Sequence, residues 1–169
     1  MNSAATHNRL AELRLVAFDV DGVFTDGRFY LSDDGIETKA FNTQDGFGVR
    51  RLIDAGFEVA VISGRRSAAT AKRMAELGIK HVFLGTGDKV AAFDELIAKL
   101  GIDASQCAYA GDDIPDLLLL EKVGYSIAVA NAVEVVRDFC DYTTMAPGGH
   151  GAVREICDLV LAARPEGGS

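Results

Sequence analysis

Two aspartates, Asp19 and Asp21, lie one residue apart at the end of an apolar run and just before Gly22. This pattern is typical of a buried strand whose carboxyl end opens into a ligand site, as in open α/β sheets. A turn at Gly22 lets both carboxylates face one ligand, so that one can act as a nucleophile while the other transfers protons. The Asp-Gly pair is also typical of an ordinary polar turn, and the later residues must decide between these interpretations.

Polar side chains of complementary kinds follow three later apolar segments in the same way. They are a hydroxyl, an ammonium and a pair of carboxylates, namely Ser63, Lys89, Asp112 and Asp113. Each alone suits a helix cap or a solvated residue in the first turn of a helix. Because parallel strands end at one edge of a sheet, the set favours a single site shared with Asp19.

This combination of groups predicts phosphoryl transfer with Mg²⁺ as the cofactor. Asp19 and Asp112 offer the hard oxygen ligands that Mg²⁺ prefers, and this ion also keeps waters and a phosphate oxygen as ligands. The ion, Lys89 and the Ser63 hydroxyl would neutralise and orient the phosphoryl oxygens. Without that neutralisation an aspartate anion could hardly approach a phosphate dianion.

Apolar strands alternate with helical segments along most of the chain, which predicts parallel βαβ units in a three-layer α/β/α Rossmann-like sheet. The predicted strands begin at residue 15 and continue at 57–62, 81–84, 107–110, 125–129 and, as a short edge strand, 142–144. The predicted helices run from caps at 42–45 to residue 56 and then over 67–77, 89–100, 115–123, 133–139 and 152–163. Residues 27–42 carry a hairpin signal with Asp-Gly at its turn, which predicts a small β-hairpin flap near the site.

The composition is that of one globular domain over residues 1–169, with 49% hydrophobic and 25% charged residues. The net charge of -8 disfavours nucleic acid and anionic membranes as partners. The three cysteines are odd in number and widely spaced, as is typical of reduced thiols in a cytosolic protein. Residues 1–13 lack a signal-peptide pattern, so we expect a cytoplasmic protein with an N-terminal extension there and a flexible tail at 165–169.

The chain resembles the haloacid dehalogenase-like phosphatase superfamily in four motifs and in their order. The motifs are Asp19-Val20-Asp21-Gly22, Ser63, Lys89 and Gly111-Asp112-Asp113. The resemblance implies that Asp19 becomes an aspartyl phosphate, while Asp21 protonates the leaving alcohol and then activates water. It also implies a Mg²⁺ ion held by the Asp19 carboxylate, the Asp21 backbone carbonyl and Asp112. Two further carboxylates would support this site, Asp113 and Asp116.

A narrower resemblance, to the family of 3-deoxy-D-manno-octulosonate 8-phosphate phosphatases, rests on four segments. They are residues 19–27, 41–46, 62–65 and 147–155. This resemblance implies a homotetramer without a large cap domain, in which a neighbouring subunit completes each site. It also implies a role in making the inner sugar of lipopolysaccharide.

The same family resemblance implies which residues contact the sugar phosphate. They are Asp21, Asn42, Thr43, Gln44, Asp45, Gly46, Arg50, Arg65, Arg73 and Lys89, some of them reaching the site from a neighbouring subunit. The planar guanidinium group of Arg suits both the carboxylate and the phosphate of such a substrate. The glycine-rich run 147–151 would lie near a subunit contact and help cover the site, and its His150 is expected to be structural or a peripheral contact.

Three alternatives accompany this interpretation. A receiver-like signalling domain also combines Mg²⁺, an acceptor aspartate, a hydroxyl and a lysine. It needs no acid-base residue two positions after the acceptor, however. Asp21 and the late position of Asp112 therefore argue against this alternative. A noncatalytic oligomeric module could keep the same fold. Among enzymes, a phosphatase of a related nine-carbon keto-acid sugar phosphate would need the same arginines.

Overall fold

The structure is a computed structural model that describes residues 3–164, so the predicted tail at 165–169 lies outside the described residues. In chain order the elements are α1 (Ser3–Ala11), β1 (Leu15–Phe18), β2 (Tyr30–Leu31), β3 (Glu37–Thr38), α2 (Thr43–Asp54), β4 (Glu58–Ser63), α3 (Ala68–Leu77), β5 (His81–Leu84), α4 (Lys89–Leu100), β6 (Cys107–Gly111), α5 (Leu117–Lys122), β7 (Tyr125–Ala128), α6 (Glu134–Phe139), β8 (Tyr142–Thr143) and α7 (Ala152–Ala162). Short 3₁₀ turns at Ala104–Gln106 and Ile114–Asp116 precede β6 and α5. The α/β fold class is confirmed.

Six parallel strands form the main sheet in the order β5-β4-β1-β6-β7-β8. The chain moves outward from β1 to β5 on one side, crosses back to β6, and then moves outward to β8 on the other side. This reversal leaves a crevice beyond the carboxyl ends of β1 and β6, the position at which open α/β sheets bind ligands. The register places Phe18 of β1 beside Val61 of β4 and Ala110 of β6. Asp19 therefore begins directly at the crevice.

Helices cover the sheet on both faces, and the central strand has no accessible side chain as a result. All four residues of β1 are fully buried, as expected for a parallel strand that is apolar throughout. Helices α2 and α7 pack against each other, as do α4 and α5. Right-handed crossovers place the second pair on the opposite face from the first, because the chain changes direction between them.

Two regions differ from their sequence predictions. The sequence analysis assigned no element to residues 1–13, but the structure has helix α1 there, and Arg9 at its end pairs with Asp141 beside β7 at 2.8 Å. This helix has little apolar periodicity, so contacts distant in sequence hold it in place. The predicted helix from residue 115 starts instead as the 3₁₀ turn Ile114–Asp116 before α5.

The predicted flap is present as the antiparallel hairpin β2–β3. Its turn spans residues 32–35, where the Gly35 amide donates to the Ser32 carbonyl at 2.9 Å and Gly35 has a φ of 80°. Both strands of the flap are only two residues long. Among the helices of the described residues, none has the length and apolar character required to cross a membrane.

Candidate active site

The carboxylate of Asp19 lies at the floor of the crevice, where β1 ends. Its amide donates to the Ala110 carbonyl at 2.9 Å, which extends the pairing of β1 with β6 by one residue. Asp19 is 7% exposed. Burial raises its pKa to about 6, with nearby Asp116 adding to the rise and the Lys89 ammonium opposing it. Burial of this carboxylate costs free energy, and groups with pKa values perturbed in this way are typical of functional sites.

The chain turns sharply after Asp19 because three consecutive amides, those of residues 23–25, all donate to the Val20 carbonyl. Gly22 has a φ of 90°, a backbone conformation that favours glycine. A Cβ atom at Gly22 would also collide with the Asp112 carboxylate. The turn that the sequence analysis predicted at Gly22 is confirmed, and it brings Asp19 and Asp21 to one cavity.

Lys89 is the first residue of α4, and its ammonium reaches across to β1. Its Nζ lies 3.1 Å from Asp19 Oδ1 and 2.7 Å from Asp116 Oδ1. Burial lowers the pKa of Lys89, but the two carboxylates outweigh it and the net shift is upward. Lys89 is thus held in its charged form beside the Asp19 carboxylate, where it can neutralise a phosphoryl oxygen.

Asp116 holds the loop between β6 and α5 in shape. It is 1% exposed, and its Oδ1 accepts from the Tyr109 hydroxyl at 2.6 Å as well as from Lys89. Its Oδ2 accepts from the amides of Asp112 at 3.0 Å and Asp113 at 3.3 Å. These hydrogen bonds give a physical basis to the prediction that Asp116 supports the site. Tyr109 was missed, because a tyrosine inside a strand is usually a core residue.

Three carboxylates converge in the crevice, as a site for a divalent cation requires. One oxygen each from Asp19, Asp112 and Asp116 lies within 4.8 Å of the others. Burial, and then repulsion from Asp19 and Asp116, raises the pKa of Asp112 to about 7. Asp19 Oδ1 is buried and has no hydrogen bond of regular geometry, although the Lys89 ammonium forms an ion pair with it at 3.1 Å. An all-oxygen set with an unsatisfied buried oxygen fits Mg²⁺.

The side chain of Asp21 lines the same cavity and contacts the flap. Its Oδ1 accepts from the ammonium of Lys39, which follows β3 and whose side chain is 1% exposed. The sequence analysis missed Lys39, because a lysine in a short hairpin is usually solvated. The available signal was its position near the end of the second flap strand, close to the site.

Ser63 and Arg65 reach the cavity from the end of β4, which lies on the side of β1 opposite β6. Ser63 is the last residue of β4 and is 2% exposed, and its Oγ accepts from the Arg65 amide at 3.4 Å. The guanidinium group of Arg65 lies 4.0 Å from the centre of the Phe29 ring. It also donates to Glu37 Oε2 from Nε at 2.9 Å and from Nη2 at 2.7 Å. The flap thus holds Arg65 between an aromatic ring and a carboxylate.

These groups enclose a cavity of about 330 Å³. Its lining consists of Asp19, Asp21, Gly27, Ser63, Gly64, Arg65, Lys89, Asp112, Asp113, Pro115 and Asp116. All the residues predicted for catalysis and for metal binding are in this set. Asp113 is exposed, and its carboxylate accepts from the adjacent Ile114 amide at 2.8 Å.

The other predicted substrate contacts lie on α2 and α3 and do not line this cavity. Arg50 donates to the Glu76 carbonyl at 2.6 Å, and Arg73 lies 3.4 Å from the Glu76 carboxylate. Asn42 caps α2 by accepting from the amide of Gln44, the residue after Thr43. Asp45 and Gly46 follow in the same helix, and a Cβ atom at Gly46 would displace the end of the Arg73 side chain.

Asp45 is fully buried and serves the packing of α7 in this chain. Its Oδ1 accepts from the Arg154 amide at 2.8 Å, in the first turn of α7. Burial raises its pKa, although amide hydrogen bonds from Arg154 and Gly151 oppose the rise. These bonds satisfy amides that the helix itself leaves without partners.

The glycine-rich run 147–151 packs against the turn after Asp19. A Cβ atom at Gly148 would collide with the Gly22 carbonyl, and the Gly149 amide donates to the Val23 carbonyl at 3.0 Å. Within one chain this run therefore braces the turn from outside the cavity, while its predicted place near a subunit contact stays a prediction. His150 is exposed and does not line the cavity.

Comparison with known proteins gives consistent matches. A family model for haloacid dehalogenase-like hydrolases matches residues 82–156. The chain is 44% identical over 162 residues to the 3-deoxy-D-manno-octulosonate 8-phosphate phosphatase KdsC of Escherichia coli K12, covering 96% of this chain and 86% of that protein.

Two crystallised relatives extend the match to the fold. The first is the 3-deoxy-D-manno-octulosonate 8-phosphate phosphatase of Moraxella catarrhalis in complex with magnesium, phosphate and a KDO molecule. It is 44% identical with a TM-score of 0.93, over 96% of this chain and 94% of that one. The second, the cobalt-bound deoxy-D-mannose-octulosonate 8-phosphate phosphatase of Haemophilus influenzae, is 42% identical with a TM-score of 0.89, over 92% and 91% of the two chains.

Proposed function

The chain belongs to the 3-deoxy-D-manno-octulosonate 8-phosphate phosphatase family of haloacid dehalogenase-like hydrolases, and from this membership we infer its reaction. It is a Mg²⁺-dependent phosphoric monoester hydrolase that converts 3-deoxy-D-manno-octulosonate 8-phosphate to 3-deoxy-D-manno-octulosonate and phosphate, in lipopolysaccharide biosynthesis. The observation that carries this conclusion is the crevice itself, where Asp19, Lys89 and Asp112 meet beyond β1 and β6.

We propose that the reaction passes through an aspartyl phosphate on Asp19. In the first step an Asp19 oxygen bonds to phosphorus as the bond from phosphorus to the sugar oxygen breaks, and Asp21 gives that oxygen its proton. In the second step a water oxygen bonds to phosphorus and gives its proton to Asp21, as the bond from phosphorus to the Asp19 oxygen breaks. Phosphate is released and the Asp19 carboxylate is restored. Asp21 is thus the acid in one step and the base in the next.

The remaining cavity residues would hold and neutralise the phosphoryl group. Lys89 and the Ser63 hydroxyl would contact its oxygens, which the burial of both side chains at the cavity wall supports. The Asp19 carboxylate, the Asp21 backbone carbonyl and Asp112 would hold Mg²⁺, which when bound offsets the charge that carboxylate and phosphate would otherwise bring together. Asp113 and Asp116 would support the Asp112 loop.

Recognition of the sugar would use arginines from two sources. Arg65 lines the cavity and is proposed to bind the substrate while it keeps its hydrogen bonds to Glu37. Arg50, Arg73 and residues 42–46 are proposed to reach the cavity of a neighbouring subunit in a homotetramer. Their position on α2 and α3, outside the cavity of their own chain, supports this assignment. We also propose that the enzyme acts in the cytoplasm, where its three free thiols would stay reduced.

Phosphate release by the purified protein tests this function. We expect Mg²⁺-dependent release from 3-deoxy-D-manno-octulosonate 8-phosphate that a chelator abolishes, and much slower release from a nine-carbon keto-acid sugar phosphate and from p-nitrophenyl phosphate. Equal rates on the two sugar phosphates would contradict the substrate, and release from none of the three would contradict the reaction class.

A further inference from the structure

The ammonium of Lys39 is buried where the flap meets the cavity. It contacts Asp21 Oδ1 and lies 3.8 Å from Glu37 Oε1, with its side chain 1% exposed. A buried ammonium is costly unless carboxylates pair with it. Lys39 therefore cannot contact substrate, and its environment is defined by Asp21 and Glu37.

The contact with Lys39 uses one of the two Asp21 oxygens. Asp21 lines the cavity with a side chain that is 26% exposed, and Lys39 is the group that hydrogen-bonds this carboxylate within residues 3–164. The other oxygen, Oδ2, carries no such bond. A donor fixed on Oδ1 limits the rotation of the carboxylate and so determines where Oδ2 lies.

The flap holds Lys39 in place through a second set of contacts. Glu37 lies between Lys39 and Arg65, accepting two hydrogen bonds from the Arg65 guanidinium at 2.7 and 2.9 Å. The guanidinium in turn stacks on Phe29, also in the flap. The pKa of Glu37 is lowered by the Ser67 hydroxyl and then, against burial, by Arg65 and Lys39. Glu37 is thus an ionised carboxylate, held by Arg65, within 3.8 Å of the buried Lys39 ammonium.

We propose that Lys39 is a positioning residue for Asp21 and that it directs Oδ2 toward the phosphoryl group in both steps of the reaction. This proposal rests on the proposed function, in which Asp21 transfers the protons. The proton leaves Oδ2 for the sugar oxygen in the first step and returns to Oδ2 from water in the second. Lys39 takes no part in the proton transfer. Without it, Asp21 would still be present but would sample other orientations, and misplacement of about 1 Å can cost about 100-fold in rate.

The two steps can be separated with p-nitrophenyl phosphate. Its phenolate leaves without needing a proton, so the first step depends little on Asp21, whereas attack of water on the phosphoryl group needs Asp21 with any substrate. We expect Lys39→Met to release p-nitrophenol in a burst of one equivalent per site, followed by a steady rate lowered about tenfold to 100-fold. With the sugar phosphate as substrate, the leaving alkoxide does need the proton. In Lys39→Met both steps should then slow, and no burst of free sugar should precede the steady rate.

The chain offers a matched control in Lys122, whose ammonium pairs with Asp94 at 2.6 Å away from the cavity. Lys122→Met also removes a lysine that is paired with an aspartate, and it should leave both steps unchanged. Lys39→Arg keeps a cation at the site but with the wider, planar guanidinium group. It should give the same burst with a smaller loss of steady rate, and it decides the matter alone if Lys39→Met fails to fold.

Wild-type rate constants for both steps in Lys39→Met or Lys39→Arg would overturn the proposal, as would equal slowing of both steps with p-nitrophenyl phosphate. Failure of the proposed function would look different. In that case the wild-type protein would lack Mg²⁺-dependent turnover, or Asp21→Asn would keep the wild-type steady rate. A slow Asp21→Asn together with a fast Lys39→Met would leave the function intact and reject the positioning role alone.

Discussion

Two regions of the molecule differ in whether one chain satisfies their charged groups by itself. One is the crevice beyond β1 and β6, and the other is the arginine surface, formed by Arg50 of α2 and Arg73 of α3. In the crevice, carboxylates with pKa values raised to about 6 and 7 lie beside the half-buried Lys89, whose ammonium pairs with Asp19 Oδ1 at 3.1 Å. That oxygen has no hydrogen bond of regular geometry. On the arginine surface, both guanidinium groups are already bonded to Glu76 of their own chain. The negative charge of the crevice favours binding of a cation, whereas the arginines already have partners within their own chain.

This difference separates chemistry from recognition. The reversal of the sheet brings the reacting groups together in every copy of the chain, because strand order alone determines which carboxyl ends meet. No such rule brings the arginine surface to the cavity, and its proposed role needs a second copy.

Asp19→Asn should abolish turnover, lowering the rate by at least about 1,000-fold, because the amide cannot act as the nucleophile. The same change should raise the melting temperature at pH 7, since it removes a carboxylate that burial makes costly to ionise. Phosphate release and thermal unfolding measure the two effects. Retained turnover would contradict the assignment of the nucleophile.

Mixing two inactive variants tests whether the arginine surface acts between subunits. Arg73→Ala and Asp19→Asn should each be nearly inactive alone on the sugar phosphate. Co-refolded mixed assemblies should regain a substantial fraction of wild-type activity, because some sites then combine an intact crevice with an intact arginine from a neighbour. Refolding each variant separately before mixing is the control. If the co-refolded mixture shows no gain, Arg73 does not act across a subunit boundary.

Arg65→Met should affect recognition more than chemistry. We expect kcat/KM for the sugar phosphate to fall about tenfold to 100-fold, the cost of one hydrogen-bonded charged contact, and kcat/KM for p-nitrophenyl phosphate to fall far less. Steady-state kinetics on the two substrates gives the comparison. Arg66→Met, a change at the neighbouring arginine outside the cavity lining, is the control. Equal losses on both substrates would remove Arg65 from recognition.

The stabilisation of the protein by Mg²⁺ should depend on pH through the carboxylates of the crevice. Because the pKa values of Asp19 and Asp112 are raised, these two carboxylates bind more protons in the folded protein than in the unfolded chain. Without metal, their contribution to stability therefore falls as pH rises from about 4 to 7. Ionised carboxylates bind Mg²⁺, so the gain in melting temperature on adding Mg²⁺ should be small at pH 5 and several degrees at pH 8.

Thermal scans of Asp112→Asn, with Asp94→Asn as a control for loss of a remote carboxylate, locate this effect. Asp112→Asn should lose most of the gain at pH 8, and Asp94→Asn should keep it. An equal gain at both pH values in the wild-type protein would show that Mg²⁺ binds elsewhere.

The sequence predicted the fold closely because its central strands are continuous apolar runs and two of its helices end at glycines. Gly78 and Gly101 cap α3 and α4 in the left-handed conformation, as such residues commonly do. The α1 helix could not be predicted, since its contact between Arg9 and Asp141 joins residues far apart in sequence. The 3₁₀ turn before α5 escaped for a similar reason, because Asp116 shapes it by bonding backward to two amides.

Within the candidate site, sequence reasoning located the residues at strand ends and missed those that hold them. Asp19, Ser63, Lys89 and Asp112 were predictable because parallel strands share an edge. Lys39 and Tyr109 were not, since a lysine in a hairpin and a tyrosine in a strand have ordinary structural roles in most proteins. Their importance here follows from tertiary contacts with Asp21 and Asp116.

The most direct test of the central claim is to trap the phosphorylated enzyme. Asp21→Asn should be mixed with p-nitrophenyl phosphate and Mg²⁺, quenched in acid, digested and analysed by mass spectrometry. We predict one added phosphoryl group on the peptide that contains Asp19, because the variant can form the aspartyl phosphate but hydrolyses it slowly. A phosphoryl group on another residue, or its absence while p-nitrophenol is released, would contradict the account.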